Sequence, residues 1–468
     1  MTLLEAFDAL LAETERAFSQ QRVLARARQP AYGFVTSWGR HTISRALCAT
    51  RAQFQDWSAS YRLFSRSPWE PHDLFRPVLG QCLARSATAG LIPLALDDTT
   101  VKKTSKRIPG VSYARDPMSP PFHPNLVMGQ RFIQVAAILR PQGLRGPART
   151  IPVRFEPAPP AVKPNKRATE EEWEAYRQLQ KAQTLSWQAV RLVWDVRRDV
   201  DQVGYAPRTL LWVTDGSYRD RTVFRHLPER SELVARVRGD MTLFLPPTEA
   251  ELAGMGRRRR YGAPLPKPDD IRADEAYPWR QAKVFGAGRL HDLRYKEVPR
   301  VLWRSGARAK PLRLMIVAPL GYRRTGKSRL LYRNPAYLLT SDLTTPAQTL
   351  IQAYFDRWEI EVNHRDEKSI LGVGQAQVWA RKAAPRVPQF QVAIYAMLLM
   401  ASLMAHGPKR TRHYLPLPKW RKREERRPSI LDILVLLREE LVARAVCPGP
   451  YDRRGRAPSR RLAMPLAG

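Results

Sequence analysis

Two apolar runs that each end in aspartate constrain this chain more than any other feature. "LIPLALDDTT" (91–100) and "TLLWVTDGSYRD" (209–220) both read as strands that stop on an acid and pass into polar turn residues. Between them lie a second strand-like run, "QRFIQVAAILR" (130–140), a Pro-rich linker, "FEPAPPAVKPNKR" (155–167), and one long helical stretch from Thr169 to Asp199. Strand and helix alternating in this way predict an α/β fold, a sheet with covering helices.

The flanking segments have a different grammar. Residues 1–88 read as helical, with Leu3, Leu4, Phe7, Leu10 and Leu11 on one stripe, and a stretch from Arg40 to Arg66 interleaves five arginines with Trp57 and Tyr61, as expected of an N-terminal helical DNA-binding unit. Residues 236–335 are β-rich and strongly basic, with "RRRR" at 257–260 in a loop, and form an insertion between a first core part, 89–235, and a second, 336–405. Thr345 followed by Pro346 predicts an N-cap and first helical position, opening a helix that runs to Gly372. A basic, helical C-terminal region occupies 406–468. No internal repeat of fixed period is present.

Charge then narrows the partner. The 79 Lys and Arg against 43 Asp and Glu leave a net charge of +36 in 468 residues, far beyond what solubility requires, so a polyanion is expected. A hydrophobic content of 44 % is ample for packed cores and excludes a disordered basic tail. The three cysteines, Cys48, Cys82 and Cys447, are too far apart for a disulfide scaffold or a paired zinc site, which points to a reducing compartment. The N-terminus lacks the basic and apolar regions of a signal peptide, and no apolar run is expected to reach the roughly 18 residues of a membrane span. A soluble, cytoplasmic protein with no membrane partner is the expectation.

The helix predicted after Pro346 carries the most suggestive chemistry. At 100° per residue Tyr354, Arg357, Glu361 and Lys368 share one face, while Ile351, Phe355, Trp358 and Val362 form an apolar stripe toward a core. Asp356, Glu359, Asp366 and Glu367 point elsewhere and read as a solvated surface. One carboxylate flanked by a phenol and two cations suits Mg²⁺ bound together with phosphate, provided further carboxylates come from strand ends. Asp215 and Asp98 are the candidates. Counting alternation from Leu94 and Leu96 puts Asp98 on their face of its strand and Asp97 on the other.

The order Asp98, Asp215, Glu361 on strand, strand and helix, with a β-rich insertion before the glutamate, resembles the DDE transposases. The gap-free spacing Tyr354, Arg357, Glu361, Lys368 is similar to the Tyr-Arg-Glu-Lys signature of bacterial insertion-sequence transposases, and "DDTT" and "DGSYRD" resemble that family's two aspartate motifs. The resemblance implies an RNase-H-like core in which Asp98, Asp215 and Glu361 hold two Mg²⁺ ions, with Mn²⁺ able to substitute. It also implies double-stranded DNA as partner (transposon inverted repeats and target), a homodimer joining two ends, and a place at the bacterial nucleoid. Tyr354, Arg357 and Lys368 would hold phosphates, with Arg257, Arg258 and Lys327 as further DNA contacts. Trp303 or Trp358 would stack a flipped base.

Two other functions compete. "GYRRTGKS" (321–328) matches the phosphate-loop pattern, but "RLLYRNPAY" leaves barely two turns for the helix that such a loop must open, so a basic hairpin is expected instead. A non-catalytic DNA-binding regulator of the same fold would typically lose one acid, and here all three are present.

Overall fold

The structure, a computed structural model, describes residues 1–86, 90–116, 119, 120, 122, 123, 125–253, 258–324, 328–420 and 427–446. Five helices come first: α1 Leu3–Ala12, α2 Gln21–Thr36, α3 Ile43–Ala49, α4 Trp57–Ser65 and α5 Arg76–Arg85. The mixed region follows as β1 Leu91–Lys102, β2 Val111–Arg115, β3 Leu126–Leu139, β4 Arg149–Pro157, α6 Glu170–Ala182, α7 Leu185–Val200, β5 Thr209–Thr214, α8 Arg221–Arg225 and β6 Ser231–Val237. Then come α9 Glu249–Ala253, α10 Pro268–Ala273, β7 Arg280–Gly286, β8 Arg289–Leu302, β9 Pro311–Val317, β10 Gly321–Tyr322, β11 Leu331–Tyr332 and β12 Ala336–Thr340. The chain closes with α11 Ala347–Asp356, α12 Glu359–Ser369, α13 Ala383–His406 and α14 Ile430–Val446.

One large mixed sheet organises the protein. Its order is β2-β3-β1-β5-β6-β12-β9-β8-β7, with β4 also paired to β3. β1 runs antiparallel to β3 and parallel to β5, and β5 runs parallel to β6; β1 does not stop on its aspartates as expected but runs on to Lys102, held by its pairing with β3, so Asp97 stands mid-strand at the level where β5 ends and Asp215 follows. The basic segment 236–335, expected as an insertion, joins this same sheet: β7, β8 and β9 extend it through the antiparallel pairings of β12 with β9 and β6. Backbone donors at the edge of β12 are satisfied by adding strands, which sequence periodicity alone does not reveal.

Strand alternation splits the core in two. Leu94 and Leu96 of β1 join a large cluster with Leu3, Phe7, Phe34, Phe64 and Phe390, whereas Leu91 and Ala95 join a second cluster with Leu211, Val213, Leu350 and Ile351. The N-terminal helices therefore share their core with the sheet. Arg386 of α13 donates to the carbonyls of Ser67 (2.8 Å) and Trp69 (2.5 Å), and Glu440 of α14 accepts from the backbone of Leu3 and Leu4 at the start of α1.

Three expected elements take another form. The stretch 169–199 is two helices, because Thr184 accepts from the Trp187 amide and starts α7 afresh. Pro346 is the N-cap of α11 and no side chain caps the helix; the turn that leads into it is held by Asp342, whose Oδ1 accepts from the amides of Thr344 (2.9 Å) and Thr345 (2.8 Å). The helix then breaks into α11 and α12 at Arg357-Trp358, where Ile360 and Glu361 bond three residues back instead of four. Helix α13, at 24 residues, is long and apolar enough to cross a membrane by length and composition, although the sequence was not expected to hold such a run. Within the protein 89 % of that apolar window is buried, which makes it the central core helix.

Candidate active site

The two aspartates of "DDTT" point to opposite faces of β1. Asp98 stays with Leu94 and Leu96, as alternation requires, and is fully engaged there: Arg131 donates to its Oδ2 (2.7 Å) and the buried Tyr218 hydroxyl to its Oδ1 (3.0 Å). Asp97 lies on the other face. The parallel register Ala95 with Val213 and Leu96 with Thr214, continued by one residue, sets Asp97 beside Asp215. Burial pushes the Asp97 carboxyl up to about 7, with Arg357 pulling it back and the charges of Asp215 and Asp98 adding to the rise. Asp215 ends β5 and caps the turn after it, accepting from the Ser217 amide (2.7 Å).

The break between α11 and α12 aims Arg357 into this acidic corner. Its guanidinium, almost fully buried, donates to Asp97 Oδ2 (3.2 Å) and to Glu361 Oε1 (3.0 Å), so one cation bridges the strand acid and the helix acid. Burial works against the Arg357 charge, but Asp97, Glu361 and Asp215 together hold its pKa above the ordinary value. Lys368, in the last turn of α12, lines a cleft with Asp97 and Asp215. Burial lowers its pKa, Glu367 raises it again and Lys102 lowers it further.

Not every expected residue arrives at this place. Tyr354 is half-buried with its ring edge-on to Phe355, packed against the second core cluster. The apolar stripe also shifts phase at the break: Ile351 is buried, whereas Trp358 is 56 % exposed beside Arg357. Three acids expected on a solvated face, Asp356, Asp366 and Glu367, are instead buried, and Arg140 and Arg365 pair with the first two. Trp303 packs edge-on against Phe224 (centroids 5.5 Å apart) at the margin of the large core, which favours a structural role. Arg258 is exposed in its loop, and Arg257 and Lys327 lie outside the described residues. β10 and β11 pair as a two-stranded hairpin across 321–332, and no helix follows the described part of that loop.

Residues that sequence reasoning passed over complete the site. Asp97, Arg131, Tyr218, Lys102 and Ser217 all touch or line it. Only Asp97 carried a sequence signal, its adjacency to Asp98. Arg131 lies inside the strand-like run and Tyr218 inside "DGSYRD", and nothing local in the sequence distinguishes either from its neighbours.

The cleft has a volume of about 1070 Å³, with Asp97, Asp98, Asp215 and Lys368 among its lining residues. Carboxylates from neighbouring strands, flanked by Arg and Lys in a mixed α/β fold, have the kind of chemistry that phosphoryl transfer uses. Sequence comparison agrees: the chain belongs to the DDE superfamily endonucleases, whose family pattern it matches over residues 15–310, more than half its length. That match contains Asp97, Asp98 and Asp215 and stops before Glu361. No curated protein sequence matches the chain.

Membership implies a nuclease or transposase-type activity on DNA, and enzymes of this family generally use divalent metal ions. The donor set suits such an ion, because Asp97, Asp215 and Glu361 offer hard oxygens whose charge the single Arg357 only partly balances. Among the described residues no three acids, histidines or cysteines converge tightly enough to hold a metal ion together, and the Arg357 guanidinium lies between Asp97 and Glu361.

Proposed function

We propose that the protein is a DNA transposase of the insertion-sequence type, which binds transposon ends, cleaves them and joins their 3′-hydroxyls to target DNA. The observation that supports this most is that Asp97 stands beside Asp215 on adjacent parallel strands while one guanidinium, Arg357, bonds both Asp97 and Glu361. The strand order β4-β3-β1-β5-β6, three antiparallel strands followed by two parallel ones, fits an RNase-H-like core. The assignment differs from the sequence expectation in its first acid: Asp97 takes the ligand role and Asp98 a positioning role.

Asp97, Asp215 and Glu361 would hold two Mg²⁺ ions, with Mn²⁺ able to substitute. Such ions supply Lewis-acid activation of the attacking and leaving oxygens in an in-line displacement. The rest is done by the chain's own groups. Arg357 keeps the acids gathered and reaches a phosphate when they are otherwise neutralised. Lys368 and Arg131 neutralise backbone phosphates along the cleft, Arg131 being steered by Asp98, which Tyr218 in turn fixes. Trp358, exposed beside Arg357, is placed to stack a base drawn out of the helix. The helical N-terminal region and the Arg258 loop extend the contact to flanking DNA, and a homodimer brings two ends together. The hairpin at 321–332 supports a DNA-contact role for "GYRRTGKS" over an ATPase.

The test is Mg²⁺-dependent cleavage of DNA carrying the sequences that flank the gene. Asp97→Asn, Asp215→Asn and Glu361→Gln should each fall to background while still binding that DNA. An active Asp97→Asn beside a dead Asp98→Asn would return the ligand role to Asp98. Tight binding with no cleavage by the wild type would make the protein a regulator.

A further inference from the structure

Resting on the DNA-cleaving reading above, we propose that the cleft beside the carboxylates takes a short unpaired stretch of one DNA strand, held between β2 and α6. Tyr113 of β2 contributes to one side of the cleft, Tyr176 and Gln180 of α6 to another, and Thr99 and Thr100 of β1 lie along it. It is continuous with the catalytic acids, so whatever occupies it is joined to the nucleotide being cut.

The chemistry of these groups selects a single strand. In a chain with 79 Lys and Arg, a duplex surface is expected to be lined by cations that reach phosphates on both strands. Here most of the groups away from the catalytic acids are neutral, tyrosine rings, glutamine amides and threonine hydroxyls, with Lys102, Arg115 and Arg131 as supporting cations and Asp116 beside them. Aromatic platforms with hydrogen-bonding side chains and a few positive charges are how unpaired nucleic acid is held, by stacking and by contacts to exposed base edges. Tyr113 is 54 % exposed, with the Lys106 ammonium 5.3 Å from its ring centre, so a base stacked on it would also meet a cation. The size agrees. About 1070 Å³ lies just above the range that envelops a drug-sized ligand, roughly 300–1,000 Å³, which is room for a few nucleotides.

α6 supplies an independent observation. None of its 13 residues is buried, and helices so short are marginal in water without a packed face. Tyr176, Gln180 and Gln183, at helical spacing of four and three, turn toward the cleft, while its Glu170, Glu174 and Arg177 pair among themselves on the outside. A strand of DNA lying in the cleft gives this helix the partner that the protein body does not.

The experiment measures binding of the full-length protein, in EDTA, to two DNAs of mixed sequence. One is a 20-base-pair duplex; the other carries in addition a five-nucleotide unpaired 3′ arm with 2-aminopurine in it. The wild type should prefer the armed DNA by about 5-fold or more, the low end of base-aromatic stacking, and should quench the 2-aminopurine. Tyr113→Ala should remove the preference and the quenching without changing duplex affinity, Gln180→Ala should reduce the preference, and Tyr113→Phe should keep both. Equal affinity for the two DNAs, or equal losses for both in Tyr113→Ala, would overturn the proposal while leaving the DNA-cleaving reading intact. Failure to bind either DNA would overturn both.

Discussion

Helices α6 and α12 are charged to a similar degree and have opposite fates. α6 carries Glu170, Glu171, Glu172, Glu174, Arg177 and Lys181 and buries none of them. α12 carries Glu359, Glu361, Arg365, Asp366, Glu367 and Lys368, and buries Asp366 and Glu367 together with Asn363 and His364. Polarity along a helix thus says little about where it sits. α6 follows a Pro-rich linker and stands off the body, stabilised by its Thr169–Glu172 capping box and its own ion pairs. α12 is pressed against β1, β4 and α13, and its inner polar groups must become neutral or find partners. Burial pushes Glu367 up to about 8 and His364 down to about 3, so both are uncharged near pH 7, and Asn363 donates to the Thr150 carbonyl (3.3 Å) and accepts from the Tyr395 hydroxyl (3.1 Å).

The sharpest break of this comparison is functional. Glu361→Gln should reduce cleavage to background, whereas Arg177→Ala on α6 should leave cleavage of fully paired DNA unchanged, both read as initial rates at saturating Mg²⁺. Stability should follow the same division. Asp356, at the end of α11, is buried against Arg140, and Asp356→Ala leaves that cation uncompensated, so a loss of about 3–5 kcal/mol is expected in urea unfolding. Asp98→Asn should cost about 10–100-fold in cleavage, the usual scale for a group that orients its neighbours, and Arg131→Ala should reproduce it without a further loss in the double variant.

Acid–base linkage gives a smaller, signed effect inside α12. The folded pKa of Glu367 lies above its unfolded value, so its contribution is largest at low pH and is lost as pH rises through about 8. His364 is the reverse: its lowered folded pKa gives a contribution that is full above about 6.5 and lost as pH falls toward 3. Of these two, only Glu367 varies between pH 6.5 and 8, and its own contribution should fall by about 1–2 kcal/mol across that window. Glu367→Gln should flatten that decline in urea titrations. The smallest effect belongs to α6. Thr169→Ala removes its cap, worth about 1 kcal/mol locally, yet global stability should move by less than about 0.5 kcal/mol because the helix buries none of its residues. A larger loss would show that α6 is part of the folded body.

Much of the framework was legible in the residues. The strands around Asp98 and Asp215, the strand before Thr345 and the helical face holding Arg357, Glu361 and Lys368 all follow from periodicity and turn chemistry, which are local. Less legible were the features fixed by contacts distant in sequence. Alternation correctly grouped Asp98 with Leu94 and Leu96, but nothing in the run says which face meets Asp215, since that depends on the β1–β5 register. The helix break at Arg357-Trp358 has no Pro or Gly to announce it, and it moved Trp358 outward and Asp366 and Glu367 inward.

What the sequence determined by itself is the kind of chain this is: a basic α/β protein with acids following apolar strand runs and a charged helical segment after them. These properties are set by composition and by the periods of 2 and 3.6 residues, which survive in any fold that buries the same apolar positions. Tertiary structure alone decided that residues 236–335 extend the sheet, that the N-terminal helices share a core with α13, and that Asp97 meets Arg357. Each of these depends on which surfaces find each other after the local elements exist, a choice made by burial and hydrogen-bond satisfaction summed over the whole chain.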